Sequence, residues 1–340
     1  MPSADTGTLG AATAAAILPR GVFTLSLDLE LIWGTLDLFG PEGFRRSCEV
    51  ERGMVVDRLL ALLNEHDVSA TWCVLGHLFL ASCRRESGVA HPEIVRPRHA
   101  WVRGDWFAHD PAGDEASHPA FYGRSLVEKI RSCPIPQEIG SHSFSHVILG
   151  DAGCSRETAA SELASCVRVA GEMGIVLRAF AFPRNSVGYV DLLPEYGFSC
   201  YRGPGPRWYE RRGVPRRVRR LAHLADVIAA ARPPVVLPRL AAPGLWNIPG
   251  SMIYFPMHGP RRHIPVSLRV QRARKGLQAA VHHRKVFHLW FHPTNLADEP
   301  DRMFAGLRRI LDEARRLRRE GLLDILTMSD LAARAEAGSG

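Results

Sequence analysis

The chain has 340 residues, 46% of them hydrophobic and 23% charged, which is typical of a soluble globular protein. Its net charge of +8 can attract nucleic acid, anionic lipid or a phosphorylated glycan carrier, but does not choose among them. No apolar run approaches the roughly 20 residues that a membrane-spanning helix needs, which excludes a transmembrane segment.

The seven cysteines are odd in number, widely spaced and free of C-x-x-C pairs. This pattern favours reduced thiols in a cytosolic protein over a disulfide framework or a zinc knuckle. Residues 1–20 are small, polar or Ala-rich and lack the features of a signal peptide, so we expect a flexible N-terminus. We therefore expect a cytoplasmic protein with a single domain over residues 21–335.

Predicted strands and helices alternate along the chain. Residues 22–27 form a buried strand, a helix covers 50–65, and residues 69–75 form the next strand, which together make a βαβ unit. The later predicted helices cover about 126–130, 156–173, 191–196, 269–282 and 301–319, and the later strands cover 138–141, 178–182, 198–201, 286–291 and 324–327. Because polar residues cluster at strand ends, the pattern predicts an α/β fold of the β/α barrel type, with its active site at that face.

Two segments interrupt this alternation. Residues 84–125 are rich in His, Pro, Asp and Trp and show no period, which indicates a long insertion or lid. Residues 204–243 form a basic segment punctuated by prolines, to which the sequence assigns no clear element.

The first candidate site pair is Asp28 and Glu30, at the end of the first strand. Residues i and i+2 of a strand project from the same face, so the two carboxylates share a pocket while Leu29 turns away. They repel each other unless a cation or a proton intervenes. A strand end where two acids reach water is the alternative.

Three histidines extend this candidate site. His142 and His146 lie four residues apart, so a helical turn would place both imidazoles on one face, where they could bind one metal ion. His292 ends a strongly apolar strand, and a histidine of near-neutral pKa suits general acid catalysis. His288, on the same strand, is interpreted as a buried structural residue.

Five segments, in order, resemble motifs of the polysaccharide deacetylase family (carbohydrate esterase family 4). They are LSLDLE at 25–30 in a D-x-E variant, ATWCVLG at 70–76, EIGSHSFSH at 138–146, FAFPRN at 180–185 and HLWFHP at 288–293. The third segment is the most specific match, and the resemblance covers residues 23–333.

The resemblance implies a distorted (β/α)7-type barrel that binds one divalent metal ion. Glu30, His142 and His146 would hold the metal, Asp28 would be the general base and His292 the general acid. Zinc is the first expectation, and cobalt, nickel, manganese and iron also tolerate this ligand set. The reaction would be hydrolysis of an acetyl group, on nitrogen or oxygen, of a sugar or glycoconjugate.

The chain departs from the family pattern at two positions. Leu29 stands where a second aspartate is common, and Phe182 stands where an arginine usually steers the catalytic aspartate. Arg184 is therefore proposed to replace that arginine, and Asn185 to contact substrate. Further substrate contacts are expected from Asp105 and Trp106 in the insertion and from Trp246, with loop packing as the alternative.

Two alternatives remain open. Relatives of this family hydrolyse other C–N bonds, in formamides or cyclic amides, and a non-catalytic glycan-binding protein would also fit the two departures.

Residues 207–220 contain seven arginines and only one glutamate, and could contact a membrane surface peripherally, although a solvated helical face explains them as well. With only Trp208 and Tyr209 as aromatic neighbours, this stretch gives no reason to expect nucleic-acid binding.

Overall fold

The computed structural model of the protein describes residues 18–207, 209 and 213–338. The expected flexible N-terminus falls outside the described residues up to position 17. Leu18 is buried, with 1% of its surface exposed, and packs in an apolar cluster with Val22 and Leu331. Leu18 is therefore part of the packed domain, three residues before the predicted boundary at residue 21.

The described residues contain twelve strands, most of which alternate with helices. The strands are β1 Gly21–Leu29, β2 Thr71–Val74, β3 Arg85–Glu86, β4 Val89–Ala90, β5 Glu138–Ser141, β6 Ala179–Ala181, β7 Cys200–Arg202, β8 Arg239–Ala242, β9 Leu245–Asn247, β10 Met252–Ile253, β11 Val286–Phe291 and β12 Leu323–Ile325. The α-helices are α1 Leu36–Phe39, α2 Arg45–Val50, α3 Val56–His66, α4 Arg124–Arg131, α5 Arg156–Gly171, α6 Leu192–Glu195, α7 Arg216–Ile228, α8 Val266–His283, α9 Pro300–Arg319 and α10 Met328–Ala337.

Nine strands form one path in the order β10-β11-β1-β2-β5-β6-β7-β9-β8, and β12 pairs with the first half of β1. All pairs along this path are parallel except β8 with β9. The sheet curls into a half-barrel because successive parallel strands twist in one direction. The predicted distorted β/α barrel is confirmed.

The centre of the sheet is β1, whose nine residues are all buried. Phe23, Leu25 and Leu27 pack in the main hydrophobic core, and the polar residues that alternate with them, Thr24, Ser26 and Asp28, are buried as well. The register pairs Leu27 with Phe291 on β11 and Asp28 with Cys73 on β2. The carboxyl ends of these strands therefore meet at one edge of the barrel.

The insertion contains little regular structure. Between the 3-10 helix Gly76–Phe79 and α4, the only strands among the described residues are the two-residue pair β3 and β4. The basic segment at 204–243 holds α7 and β8, which the sequence did not place. Among the described residues, no helix is both long and apolar enough to span a lipid bilayer.

Candidate active site

The candidate site lies at the carboxyl ends of β1, β5 and β11. Asp28 is the penultimate residue of β1, and Glu30 follows that strand directly. His142 follows β5, and His292 follows β11. Parallel neighbours bring these strand ends together, as the sequence predicted.

Glu30, His142 and His146 form a compact group in which one ligand atom from each lies within 4.8 Å of the others. The Oε2 atom of Glu30 is 3.1 Å from Nε2 of His142 and 3.3 Å from Nε2 of His146. All three residues are buried. The three predicted metal ligands therefore converge on one point.

The protonation of His142 follows from its second nitrogen. Its Nδ1 atom lies 2.9 Å from the carbonyl oxygen of Ala181, which can only accept a hydrogen bond. Nδ1 therefore carries the proton, and the Nε2 atom of a neutral ring presents a lone pair to the Glu30 carboxylate. Both Nε2 of His142 and Oε2 of Glu30 lack a hydrogen-bond partner. Such an opposition of lone pairs requires a cation between them or a proton on the ring.

The loop that carries the two histidines differs from the sequence prediction. Residues 142–146 do not form a helical turn; instead Ser143 and His146 adopt positive φ angles of 60° and 66°. The ring centroids of His142 and His146 still approach to 5.3 Å. Left-handed backbone at non-glycine residues costs free energy and often marks functional sites.

This loop is held by residues that the sequence analysis missed. The buried carboxylate of Glu162, on α5, accepts hydrogen bonds from the backbone N–H groups of Phe144 (2.8 Å) and Ser145 (2.9 Å) and from the Ser145 hydroxyl (2.6 Å). Gly76 packs beneath the loop, where a Cβ atom would lie 2.8 Å from Cα of Phe144. Both contacts fix the positions of the histidines.

Asp28 is held by Arg202, a buried residue on β7. The guanidinium donates two hydrogen bonds to the carboxylate, at 2.8 Å to Oδ1 and 2.5 Å to Oδ2. Arg202, and not the predicted Arg184, contacts Asp28. Arg184 forms an ion pair with Asp37 at 2.6 Å, on the rim of the site.

The side chain of Arg202 is oriented by a directed chain of hydrogen bonds. Nδ1 of His288 lies 3.3 Å from the carbonyl oxygen of Ile248, so this nitrogen is the donor and Nε2 is left as an acceptor. The Ser26 hydroxyl donates to that Nε2 at 2.8 Å and accepts from Arg202 at 3.0 Å. His288 is fully buried, as expected, and supports the arginine from behind.

Charge at the centre of the site is balanced by these neighbours. Burial raises the pKa of Asp28, but the Arg202 guanidinium together with His142 and His292 outweighs it, and the net pKa is lowered. Burial likewise opposes ionisation of Glu30, yet the adjacent histidines hold its pKa well below the ordinary value. Both carboxylates are therefore ionised, and the site attracts positive charge.

His292 faces this charge from the open side. Its Nε2 atom is 3.5 Å from Oε1 of Glu30 and 3.7 Å from Oδ2 of Asp28, and its side chain is 26% exposed. It is the one histidine of the centre that solvent or substrate can reach directly.

The predicted substrate residues lie in different surroundings. Asp105 and Trp106 line a cleft of about 160 Å³ beside the site, and the indole N–H of Trp106 donates to the Ser145 hydroxyl at 2.9 Å. Asn185 lines a second cleft together with Arg184. The expected substrate contact of Trp246 is not supported, because the side chain is 2% exposed and its N–H donates to Glu336 on α10 at 2.6 Å. Its ring therefore offers no face to a substrate.

The donor set fits a divalent metal ion. Two imidazoles and one carboxylate form a typical set for zinc and for other first-row metals. The unpartnered Nε2 and Oε2 atoms of His142 and Glu30 point at the same place, where an ion would satisfy both. Three protein ligands leave coordination positions open, as catalytic metal sites require.

Solved structures share this fold. A Mycobacterium smegmatis protein provisionally named a polysaccharide deacetylase aligns with a TM-score of 0.61 and 16% identity over 96% of both chains. A Pseudomonas aeruginosa PAO1 protein named a probable polysaccharide deacetylase aligns with a TM-score of 0.56 and 11% identity, over 93% of this chain and 92% of that chain. The allantoinase PuuE aligns with a TM-score of 0.57 and 11% identity, over 94% and 92%.

No protein-family model and no curated sequence matches the chain. The structural similarity defines the class: the chain has the polysaccharide deacetylase fold. The resemblance seen in the sequence motifs and the similarity of fold agree.

Proposed function

We propose that the protein is a metal-dependent hydrolase that removes an acetyl group from an amino sugar or a glycoconjugate. The observation that carries the proposal is the buried approach of Nε2 of His142 to Oε2 of Glu30, 3.1 Å apart, which in the neutral form of the ring opposes two acceptor atoms. A cation between them turns repulsion into two favourable contacts, and the fold supplies a polar edge where an acyl substrate can approach.

Glu30, His142 and His146 would hold the ion. Bound there, a divalent metal supplies a Lewis acid that polarises the acetyl carbonyl and lowers the pKa of an attacking water. Zinc is the first choice for this ligand set, with cobalt, nickel, manganese and iron as alternatives.

Asp28 acts as the general base. Arg202 keeps it ionised and fixes both carboxylate oxygens, yet each oxygen retains a lone pair that can accept a proton from water. His292 acts as the general acid, because its partly exposed Nε2 atom can donate a proton to the departing amine or alkoxide.

The two clefts beside the site offer groups that suit a sugar. In the first, Trp106 presents an aromatic ring beside the histidine loop, on which a sugar can pack, and Asp105 offers acceptors to hydroxyl groups; in the second, Asn185 offers a donor and an acceptor. Asp105 also pairs with Arg96 at 2.7 Å, which fixes its position.

A second candidate function is hydrolysis of another C–N bond in a small amide. The structural neighbour named as an allantoinase supports this alternative, since the same fold serves a substrate that is not a polysaccharide.

The cytoplasmic location and the peripheral membrane contact through residues 207–220 stay predictions. Positions 208 and 210–212 of that segment lie outside the described residues.

The test combines metal analysis with a substrate panel. Metal content and hydrolysis of acetylated amino sugars, acetyl esters, formamides and cyclic amides are measured for wild type, His142→Ala/His146→Ala and Asp28→Asn. We expect the histidine variant to lose both its active-site ion and its activity, and Asp28→Asn to lose activity while keeping the ion. The exposed pair His282→Ala/His283→Ala is the matched control and should retain both.

The outcomes separate the functions. Preferential hydrolysis of formamides or cyclic amides would favour the second candidate. A wild type that keeps a full complement of metal but hydrolyses nothing on the panel would favour a glycan-binding role. Equal metal content in wild type and in the His142→Ala/His146→Ala variant would refute the proposed centre.

A further inference from the structure

A second cluster of metal-binding side chains joins the insertion to the segment just before it, separate from the candidate active site. It consists of His77, Cys83, His91 and Asp110, one ligand atom from each lying within 4.8 Å of the others. The two histidines and the aspartate are buried, and the cysteine is half-buried. The cluster shares no residue with the group around Glu30.

Four of the separations between ligand atoms are close to the edges of a tetrahedron around one ion. Oδ2 of Asp110 is 3.0 Å from Nε2 of His91 and 3.3 Å from Nε2 of His77. Sγ of Cys83 is 3.7 Å from Nε2 of His77 and 3.6 Å from the Asp110 oxygens. Bond lengths of about 2.0–2.1 Å to nitrogen or oxygen and about 2.3 Å to sulfur give tetrahedral edges of roughly 3.3–3.6 Å.

The hydrogen bond of His77 to the backbone determines which of its ring nitrogens is free to bind a metal. Nδ1 of His77 is 3.1 Å from the carbonyl oxygen of Phe121, so this nitrogen is the donor. In a neutral ring, Nε2 then presents a lone pair to the Asp110 carboxylate. Without an ion, Nε2 of His77 can accept from the Cys83 thiol and Nε2 of His91 can donate to Asp110, so a cation at the centre would displace these two protons.

The other ligands are also fixed from outside. Oδ1 of Asp110 accepts from the backbone N–H of Ala112 at 2.9 Å, which leaves Oδ2 facing the histidines. The Tyr122 hydroxyl accepts from the N–H of Gly113 at 2.9 Å and lies 3.1 Å from Sγ of Cys83, to which it can donate. Outer partners of this kind orient the ligands of metal sites.

We propose that His77, Cys83, His91 and Asp110 bind a structural zinc ion that holds the insertion in place. Four protein ligands leave no open position, which is typical of structural rather than catalytic zinc. A long segment whose described residues contain only two short strands has little regular structure to hold it, so a metal crosslink would compensate for the entropy of ordering it. The segment carries Trp106, whose indole donates to Ser145 between the active-site histidines, so the ion would also position one wall of the cleft.

Cobalt substitution tests this site independently of the active site. A thiolate ligand gives cobalt(II) an intense near-ultraviolet charge-transfer band, and among the proposed ligands of the two sites only Cys83 provides sulfur. We expect the band in the cobalt-loaded wild type and in His142→Ala/His146→Ala, and we expect it to be lost in Cys83→Ser. The half-buried Cys133→Ser is the matched control and should keep the band.

Metal counting completes the test. Zinc-loaded wild type should hold about two ions per chain, and His142→Ala/His146→Ala and Cys83→Ser should each hold about one. The proposal is overturned if the wild type shows no thiolate band, or if Cys83→Ser keeps it. It is also overturned if His142→Ala/His146→Ala binds no metal at all. Should Cys83→Ser not fold, the wild-type band and the single ion retained by the histidine variant decide the question.

Discussion

Replacing Arg202 by methionine tests the electrostatic design of the candidate site. The guanidinium and Asp28 are each 1% exposed, and their pair comprises two hydrogen bonds. Hydrogen bonds to charged groups contribute about 1.5–3 kcal/mol each. Removing one partner of a buried pair costs about 3–5 kcal/mol, because the other charge stays buried without compensation. We expect Arg202→Met to lower the free energy of unfolding by that amount.

The assay is equilibrium unfolding in urea, followed by tryptophan fluorescence on metal-free protein, so that metal binding does not add to the measured stability. Arg45→Met is the matched control, since Arg45 pairs with Glu42 while the two side chains are 50% and 75% exposed. Exposed pairs contribute about 0–1 kcal/mol.

A double-mutant cycle identifies the cause of the loss. Asp28→Asn removes the charge that Arg202→Met leaves unpaired, so the double variant should be more stable than the sum of the two single changes predicts. Coupling energies between contacting residues are about 0.5–3 kcal/mol. The reasoning is refuted if the two effects add, or if Arg202→Met behaves like the exposed control.

Three further predictions concern the supports of the site. Glu162→Gln should weaken metal binding at the active site roughly 10–100-fold, measured by chelator competition, because Glu162 fixes the loop between the two histidine ligands. Gly34→Ala should abolish that metal binding without changing a ligand, because a Cβ on Gly34 would overlap the Glu30 carboxylate; unchanged metal affinity would contradict this. The imidazole of His288 should stay neutral in the folded protein, because burial and then Arg202 lower its pKa to about 3. An NMR titration of labelled histidine measures this pKa, and a midpoint above about pH 5 would contradict the prediction.

The fold could be predicted from the sequence because its strands and helices are strongly patterned. The run at 286–291 coincides with β11, and the periodic segment at 301–319 coincides with α9 to within one residue. The predicted helix boundaries differ from the observed ones where the apolar periodicity continues across a π-helical turn. The helix predicted at 50–65, for example, is the later part of a longer helical run made of α2, a π-helical turn at Glu51–Val55 and α3. The insertion has no periodicity, and its structure could not be inferred.

The candidate metal ligands could be predicted because short motifs bring them to neighbouring strand ends. Arg202 and Glu162 could not, since each reaches the site from a separate element and nothing in its local sequence marks it. The position of an arginine along the chain does not determine its partner: Arg184 lies near the expected place but pairs with Asp37, whereas β7 delivers Arg202 to Asp28 from further along the sheet.

The insertion cluster escaped sequence analysis for a related reason. Its four ligands are of three residue types at unrelated spacings, and the absence of C-x-x-C pairs argued only against a zinc knuckle built from cysteines. In the folded chain, both clusters turn a histidine nitrogen towards a carboxylate. They differ in the number of protein ligands around the central point. Four ligands surround the point near Asp110, whereas three ligands near Glu30 leave a side open towards Asp28 and His292. This difference supports the proposed catalytic role of the site near Glu30 and the proposed structural role of the site near Asp110.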